Sequence, residues 1–168
     1  MTGPTRSPTV VSTQAGRTYR VGSHLITLKA QAAETNGVYS LFELETAPGQ
    51  GVRLYRQRYE DEAFWVLSGH YTFVLGSQEV TLRPGDYLYV PRGTVHAYTN
   101  GGSSPAHLLV LVTPGGIRER FLADVADRSE PRAGMSPAAG YDLERLRRRA
   151  ARYGIDILPS TRIEHAAC

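Results

Sequence analysis

The stretch Gly85-Asp-Tyr-Leu-Tyr-Val-Pro91-Arg-Gly93-Thr-Val-His96-Ala-Tyr-Thr-Asn100 restricts the possible folds of this chain more than any other. Arg83-Pro84-Gly85-Asp86 reads as a turn that launches a short strand of alternating aromatic and aliphatic residues, 86–90. Pro91-Arg92-Gly93 turns the chain again, and a second strand, 94–99, carries His96. A Pro/Gly turn that delivers one histidine onto a strand face suits a small barrel or double sheet whose interior holds a site.

The remaining chain follows the same grammar. Period-two patterns bounded by Gly, Pro and Ser turns predict strands at 17–21, 24–31, 38–46, 53–58, 62–67, 70–75, 79–82 and 106–113. An apolar content of 41% with 17 glycines, 10 prolines and 10 tyrosines agrees with a turn-rich β chain. After Pro114-Gly115-Gly116 the period changes to helical: Ile117, Phe121, Leu122 and Val125 form one stripe over 117–126, and Leu143, Leu146, Ala150 and Tyr153 form another over 142–153. Between them 127–139 reads as a polar loop, and 155–158 as a last extended segment. The organisation expected is a flexible N-terminal arm at 1–16, one domain at 17–158 that includes the helices, and a tail at 159–168.

Several function classes are disfavoured. The net charge of +3 arises from arginines interspersed with acids, and the run Arg147-Arg148-Arg149 falls on the wet face of its helix, so no nucleic-acid partner is expected. No run of about 18 apolar residues and no leader pattern is visible, so no membrane partner is expected and the expected location is cytoplasmic. Cys168 is the single cysteine, which rules out an internal disulfide and a thiolate metal cluster. No Gly-rich phosphate loop, Ser–His–Asp order or glycosidase-like carboxylate pair stands out.

The spacing G-x5-P-x-G-x2-H-x3-N on Gly85, Pro91, Gly93, His96 and Asn100 resembles the second motif of the cupin family. The first cupin motif, G-x5-H-x-H-x4-E-x6-G, falls on Gly49, Tyr55, Gln57, Glu62 and Gly69, with both histidine positions taken by other residues. The run from Tyr19 to Leu158 is similar to single-domain, quercetin-dioxygenase-like cupins of actinobacteria. The resemblance implies an all-β jelly roll, a β-sandwich or small barrel, with two C-terminal helices packed outside and a homodimeric assembly. It does not name a reaction, because the family uses this barrel for dioxygenases, isomerases, epimerases, decarboxylases, cyclases and binding modules.

Alternate residues of a strand share a face. Tyr55 and Gln57 therefore point together with Arg53, Glu62 with Phe64, and His96 with Tyr98. The topology implied by the resemblance turns these sets inward, so that Tyr55, Gln57, Glu62 and His96 form the polar centre of a small-molecule pocket. Phe64 and Tyr98, with Arg53, Tyr71 and Phe73, would line it as substrate-binding residues. In metal-binding relatives two imidazoles of the first motif join the Glu and the second-motif His; here a phenol and a carboxamide stand there, both poor ligands for late transition metals. The favoured reading is therefore a site without cofactor, in which His96 and Glu62 exchange protons, Tyr55 donates one and Gln57 orients a carbonyl. That points to an isomerase, cyclase or lyase of secondary metabolism acting on a phenolic or polyketide-like molecule. Two alternatives stay open. One is a dioxygenase holding a divalent Fe, Ni, Mn, Co or Zn ion with His96, Glu62, Gln57 and Tyr55. The other is a non-catalytic binding or regulatory cupin in which Glu62 merely satisfies His96 and Tyr55.

Overall fold

The computed structural model describes residues 7–13, 15–126 and 142–159. Eleven strands are found among them: β1 (Arg17–Val21), β2 (His24–Ala30), β3 (Ser40–Thr46), β4 (Gly51–Gln57), β5 (Asp61–Ser68), β6 (Tyr71–Leu75), β7 (Gln78–Leu82), β8 (Tyr87–Val90), β9 (His96–Asn100), β10 (Ala106–Thr113) and β11 (Ile155–Ile157). They build two antiparallel sheets, one ordered β1-β2-β3-β10-β5-β8 and the other β11-β4-β9-β6-β7. This is a jelly-roll sandwich: the sandwich follows from the turn-rich period-two sequence, and the jelly roll is what the resemblance implies. The helices are α1 (Ala32–Thr35), α2 (Ile117–Val125) and α3 (Leu143–Arg152). The short α1 was not legible in the residue pattern; it closes with Asn36 in the left-handed region. The loop expected at 127–139 and the parts of the arm and tail at 1–6, 14 and 160–168 lie outside the described residues.

Inward faces follow the predicted parity. In β2, His24, Ile26 and Leu28 are buried; in β3, Phe42 and Leu44 are buried. The core between the sheets is aromatic: Phe64, Tyr71, Phe73 and Tyr98 lie with ring centroids 5.1–6.4 Å apart, mostly edge to face. Two glycines are required by this packing. Gly51 lies so close to β9 that a Cβ there would run into the Tyr98 carbonyl, and Gly93 turns between β8 and β9 at φ +85° while its N–H donates to the Gln57 carbonyl at 2.7 Å.

One end of the sandwich is tied by Asn100. Its Nδ2 donates to the carbonyls of Thr46 and Ser104, both at 2.9 Å, and its Oδ1 accepts the Gly102 N–H at 2.9 Å, joining the end of β9 to the end of β3 in the opposite sheet. On the outer face of the larger sheet Lys29 Nζ holds the carbonyls of Ser12, Thr13 and Ala15, so the described part of the arm lies against its own domain. Farther along that face Trp65, Tyr87 and Tyr89 are each about half exposed. Helix α3 packs outside, against α2 and β11, with Phe121 and Tyr153 in ring contact at 5.8 Å. Among the described residues no helix is long and apolar enough to cross a membrane.

Because Asn100 serves three backbone groups with little access to water, Asn100→Ala is expected to cost about 2–3 kcal/mol. The measurement is urea unfolding: the midpoint should fall while the slope stays unchanged.

Candidate functional site

The site is set by the pairing of β4 with β9 and of β5 with β10. On β4, Val52 faces Tyr98 while Tyr55 faces His96, so three steps on β4 oppose two on β9. This bulge reverses side-chain parity between Val52 and Tyr55. Tyr55 and Gln57 turn inward as expected, but Arg53 is exposed on the outer side. Its expected place in the pocket lining is therefore corrected; the unbroken alternation that put it there does not hold across the bulge.

The four polar residues expected to meet do meet. The Tyr55 hydroxyl donates to Glu62 Oε1 at 2.9 Å, and Glu62 Oε2 stands 3.1 Å from His96 Nε2. Both Glu62 and His96 are only 1% exposed. His96 Nδ1 donates to the Thr94 carbonyl at 3.0 Å; since a carbonyl only accepts, Nδ1 carries a proton. Nε2 and Glu62 Oε2 face one another with no other partner among the described residues. The Tyr55 and His96 rings lie 4.3 Å apart, and Phe64 closes the other side of His96 at 5.9 Å. Phe73, Tyr98 and Tyr71 form successive layers of the floor beneath. Tyr71 pairs with Asn100 while Leu75 on the same strand pairs with His96, and the Tyr71 hydroxyl is committed to the Ala106 carbonyl at 2.8 Å.

A fifth polar residue belongs to the site and was missed in the sequence. Arg118, in the first turn of α2, reaches over the end of the sandwich. Its Nη2 donates to Glu62 Oε1 at 2.5 Å, and its Cζ lies 5.9 Å from the Tyr55 ring centroid. An amide's oxygen is recognised by its partners. Gln57 is satisfied with its oxygen toward the guanidinium, accepting from Nη2 and, at 3.0 Å, from Nε. Only 17% of the Arg118 side chain is exposed. The expectation that both helices pack outside holds for α3 and the later turns of α2, whereas the first turn of α2 caps the site.

That turn is firmly placed. Glu119 Oε1 accepts from Ser40 Oγ at 2.5 Å and from the Ala32 N–H at 2.6 Å, while the Gly116 N–H donates to Ser40 Oγ at 3.0 Å. The backbone N–H of Arg118 itself donates to Oε1 of Glu60, a fully buried carboxylate, at 3.0 Å. The sequence shows only the turn before α2; the step from that turn to the site comes from the strand register. Val112 pairs with Glu62 across β10 and β5, and the Pro114-Gly115-Gly116 turn then folds the chain back above that level.

The electrostatics follow from burial and this one cation. Burial alone would raise the Glu62 carboxyl, but the Arg118 charge, the His96 contact and the Tyr55 hydrogen bond together hold it below its ordinary value. Burial and then the Glu62 charge push the Tyr55 phenol well above its ordinary range, so it remains a donor. Burial opposes the charge on Arg118, and the Glu62 carboxylate overcomes it, so the guanidinium is held charged. Glu60 is raised by burial, with Arg118 partly opposing.

Whether these residues suit the divalent ion common to related folds is decided by their donors. Among the described residues no group of three or more His, Cys, Asp and Glu side chains converges as a metal site. His96 Nε2 and Glu62 Oε2 offer two donors, but the Gln57 oxygen faces Arg118 and the Tyr55 hydroxyl is spent on Glu62. A doubly charged ion about 5 Å from a guanidinium is repelled by roughly 6–7 kcal/mol at an effective dielectric of about 20. The set as arranged does not fit a metal.

Residues 42–112 match the family described as Cupin_2, "Cupin domain". Quercetin 2,3-dioxygenase of Bacillus subtilis (strain 168) is 30% identical over 123 residues, covering 73% of this chain and 36% of that protein. Tetracenomycin polyketide synthase protein TcmJ of Streptomyces glaucescens is 28% identical over 74 residues, 44% of this chain and 50% of that protein. The chain thus spans about a third to a half of the length of these curated relatives. Among solved structures, the polyketide cyclase RemF from Streptomyces resistomycificus superposes with a TM-score of 0.57 at 20% identity, covering 64% of this chain and 80% of that one, a likeness of fold.

Glu62→Gln removes the counter-charge of a mostly buried guanidinium and is expected to cost about 3 kcal/mol. Tyr55→Phe loses one neutral donor to a carboxylate and should cost about 1 kcal/mol. The Glu62 carboxyl lies below its ordinary 4.5, so its contribution is complete above that pH and is lost as pH falls through its folded value. Urea titrations at several pH values should show the gap between wild type and Glu62→Gln narrowing only on the acid side of about 4.5.

Proposed function

This chain belongs to the cupin superfamily, and from that premise we propose that it is a small-molecule enzyme of secondary metabolism. Its chemistry would be acid–base isomerisation, cyclisation or elimination on a phenolic or polyketide-type substrate. The observation that carries the proposal is the buried His96–Glu62 pair, with Nε2 and Oε2 3.1 Å apart, otherwise unpartnered, and the ring fixed by Thr94. With Nδ1 donating to Thr94, the ring presents its Nε2 lone pair to the site, and the Glu62 carboxylate beside it stabilises the ring once Nε2 has taken up a proton, which is what a general base needs. In an isomerisation His96 Nε2 takes a proton from a carbon beside a carbonyl, and the pair returns one to another carbon of the same enolate. No oxidant is consumed, and atoms balance. Tyr55, kept protonated, would turn its hydroxyl from Glu62 to donate to the developing oxyanion.

Arg118 selects the substrate class. An acidic phenol or enol offers the guanidinium an oxygen of its own, and by exchanging for Glu62 it gains access to the pair beneath. The similarity to TcmJ and the fold shared with RemF, both named for polyketide chemistry, support a polyketide-like substrate. The 30% identity with a quercetin 2,3-dioxygenase favours a second reading, a metal-dependent oxygenase; the donor arrangement around Arg118 weighs against it. The exposed Trp65, Tyr87 and Tyr89 face is read as the contact between two copies of the chain, so Trp65→Glu should shift sedimentation from dimer to monomer.

The readings separate in one assay. Protein treated with chelator is incubated in D2O with quercetin and with hydroxylated aromatic polyketones, following deuterium uptake by mass spectrometry and oxygen by electrode. Deuterium uptake or isomerisation without oxygen consumption is expected, reduced about 10²–10⁴-fold in His96→Ala and Glu62→Gln, while Phe64→Leu mainly weakens binding. Oxygen consumption that needs added metal would establish the oxygenase instead. Binding without exchange would establish a binding module.

A further inference from the structure

We propose that Arg118 is the resident cation of this site. Its guanidinium stands in for a divalent metal in charge and in contacts, and removing it opens Glu62, His96 and Gln57 to one. The inference rests on the arrangement of residues alone and does not depend on the reaction proposed above.

Three features support it. First, Arg118 engages the groups a metal would need: Glu62 Oε1 at 2.5 Å and the Gln57 oxygen, with Tyr55 completing the same carboxylate oxygen. Second, the two remaining donors, His96 Nε2 and Glu62 Oε2, are buried, 3.1 Å apart and have no other partner. They form the rest of a coordination set beside a charge that discourages its use. Third, the guanidinium is placed by a built framework. Glu60 receives its backbone N–H, and Glu119 locks the preceding turn to Ser40 and Ala32. A guanidinium stays charged throughout the working pH range, so the site carries its positive charge without depending on metal supply.

The test is metal titration of chelator-stripped protein, with Co(II) followed by its visible spectrum and Zn(II) by calorimetry. Arg118→Met removes the charge and keeps the apolar stem; Arg118→Lys keeps the charge. Wild type and Arg118→Lys are expected to bind at least about 100-fold more weakly than Arg118→Met, about 2.7 kcal/mol by the constant relating affinity to free energy. Arg118→Met should take up one equivalent, with cobalt bands that show nitrogen ligation. Adding either Glu62→Gln or His96→Ala to Arg118→Met should abolish the gain. Equal affinity of wild type and Arg118→Met overturns the proposal, as does a gain that survives both second substitutions. If circular dichroism shows Arg118→Met unfolded, Arg118→Gln and the wild type decide. Stoichiometric wild-type binding at Glu62 and His96 overturns the proposal, and weak wild-type binding with a gain in Arg118→Gln supports it. None of these measurements involves a substrate, so failure here is distinct from failure of the proposed reaction.

Discussion

A carboxylate and a guanidinium 2.5 Å apart inside a β-sandwich have each lost most of their water. Desolvating such ions costs several kcal/mol apiece, and their mutual attraction offsets that only when the remaining hydrogen-bonding positions are also filled. Around Glu62 and Arg118 they largely are. Tyr55 shares Oε1, the Gln57 oxygen accepts from Nη2 and Nε of the guanidinium, and His96 stands at Oε2. Much of the surrounding architecture serves this pair. The bulge in β4 turns Tyr55 and Gln57 inward, the β10–β5 register sets Glu62 below the turn into α2, and Ser40 with Glu119 holds that turn in place.

A polar cluster of this kind is tolerable because the floor beneath it is rigid. Phe64, Phe73, Tyr98 and Tyr71 fill the middle of the sandwich, and Asn100 ties its far end across the two sheets. Tyr71 and Tyr98 keep their protons, because burial pushes Tyr71 up to about 12 and Tyr98 higher. The floor therefore adds no charge of its own beneath the Glu62–Arg118 pair.

Much of this was legible in the residues. Strand parity put Tyr55 with Gln57 on one face, Glu62 with Phe64 and His96 with Tyr98, and the topology implied by the resemblance to cupins turned those faces toward one interior. Arg53 went wrong for a local reason. Parity counted back from Tyr55 crosses the bulge, and nothing in Val52-Arg53-Leu54 marks the extra residue. Arg118 was hidden for a different one. Helical periodicity assigns the apolar stripe of α2 to packing and leaves its arginines to solvent, yet a first-turn residue can point along the helix toward whatever lies under the N-terminus. Its role depends on register between β10 and β5, a long-range property that local pattern does not carry. Parity set Trp65 opposite Glu62 and Phe64 and alternated Tyr87 with Leu88, but it left open which of the latter two faces outward; the structure exposes Tyr87, 6.3 Å from Trp65.

On the reading proposed above, a fixed guanidinium and a metal ion solve the same electrostatic problem with different chemical consequences. Both stabilise a carboxylate in a dry interior and both attract an oxyanion. A metal also offers open coordination positions and, for iron or copper, a change of oxidation state. A guanidinium offers neither; it gives directional N–H groups and a charge that does not change over the working pH range. On that reading, a barrel that places Arg118 over Glu62 suits the histidine–carboxylate pair to moving protons. The same sheets, the same inward parity and the same His96 would serve another reaction class if that one cation came from solution instead of from the chain.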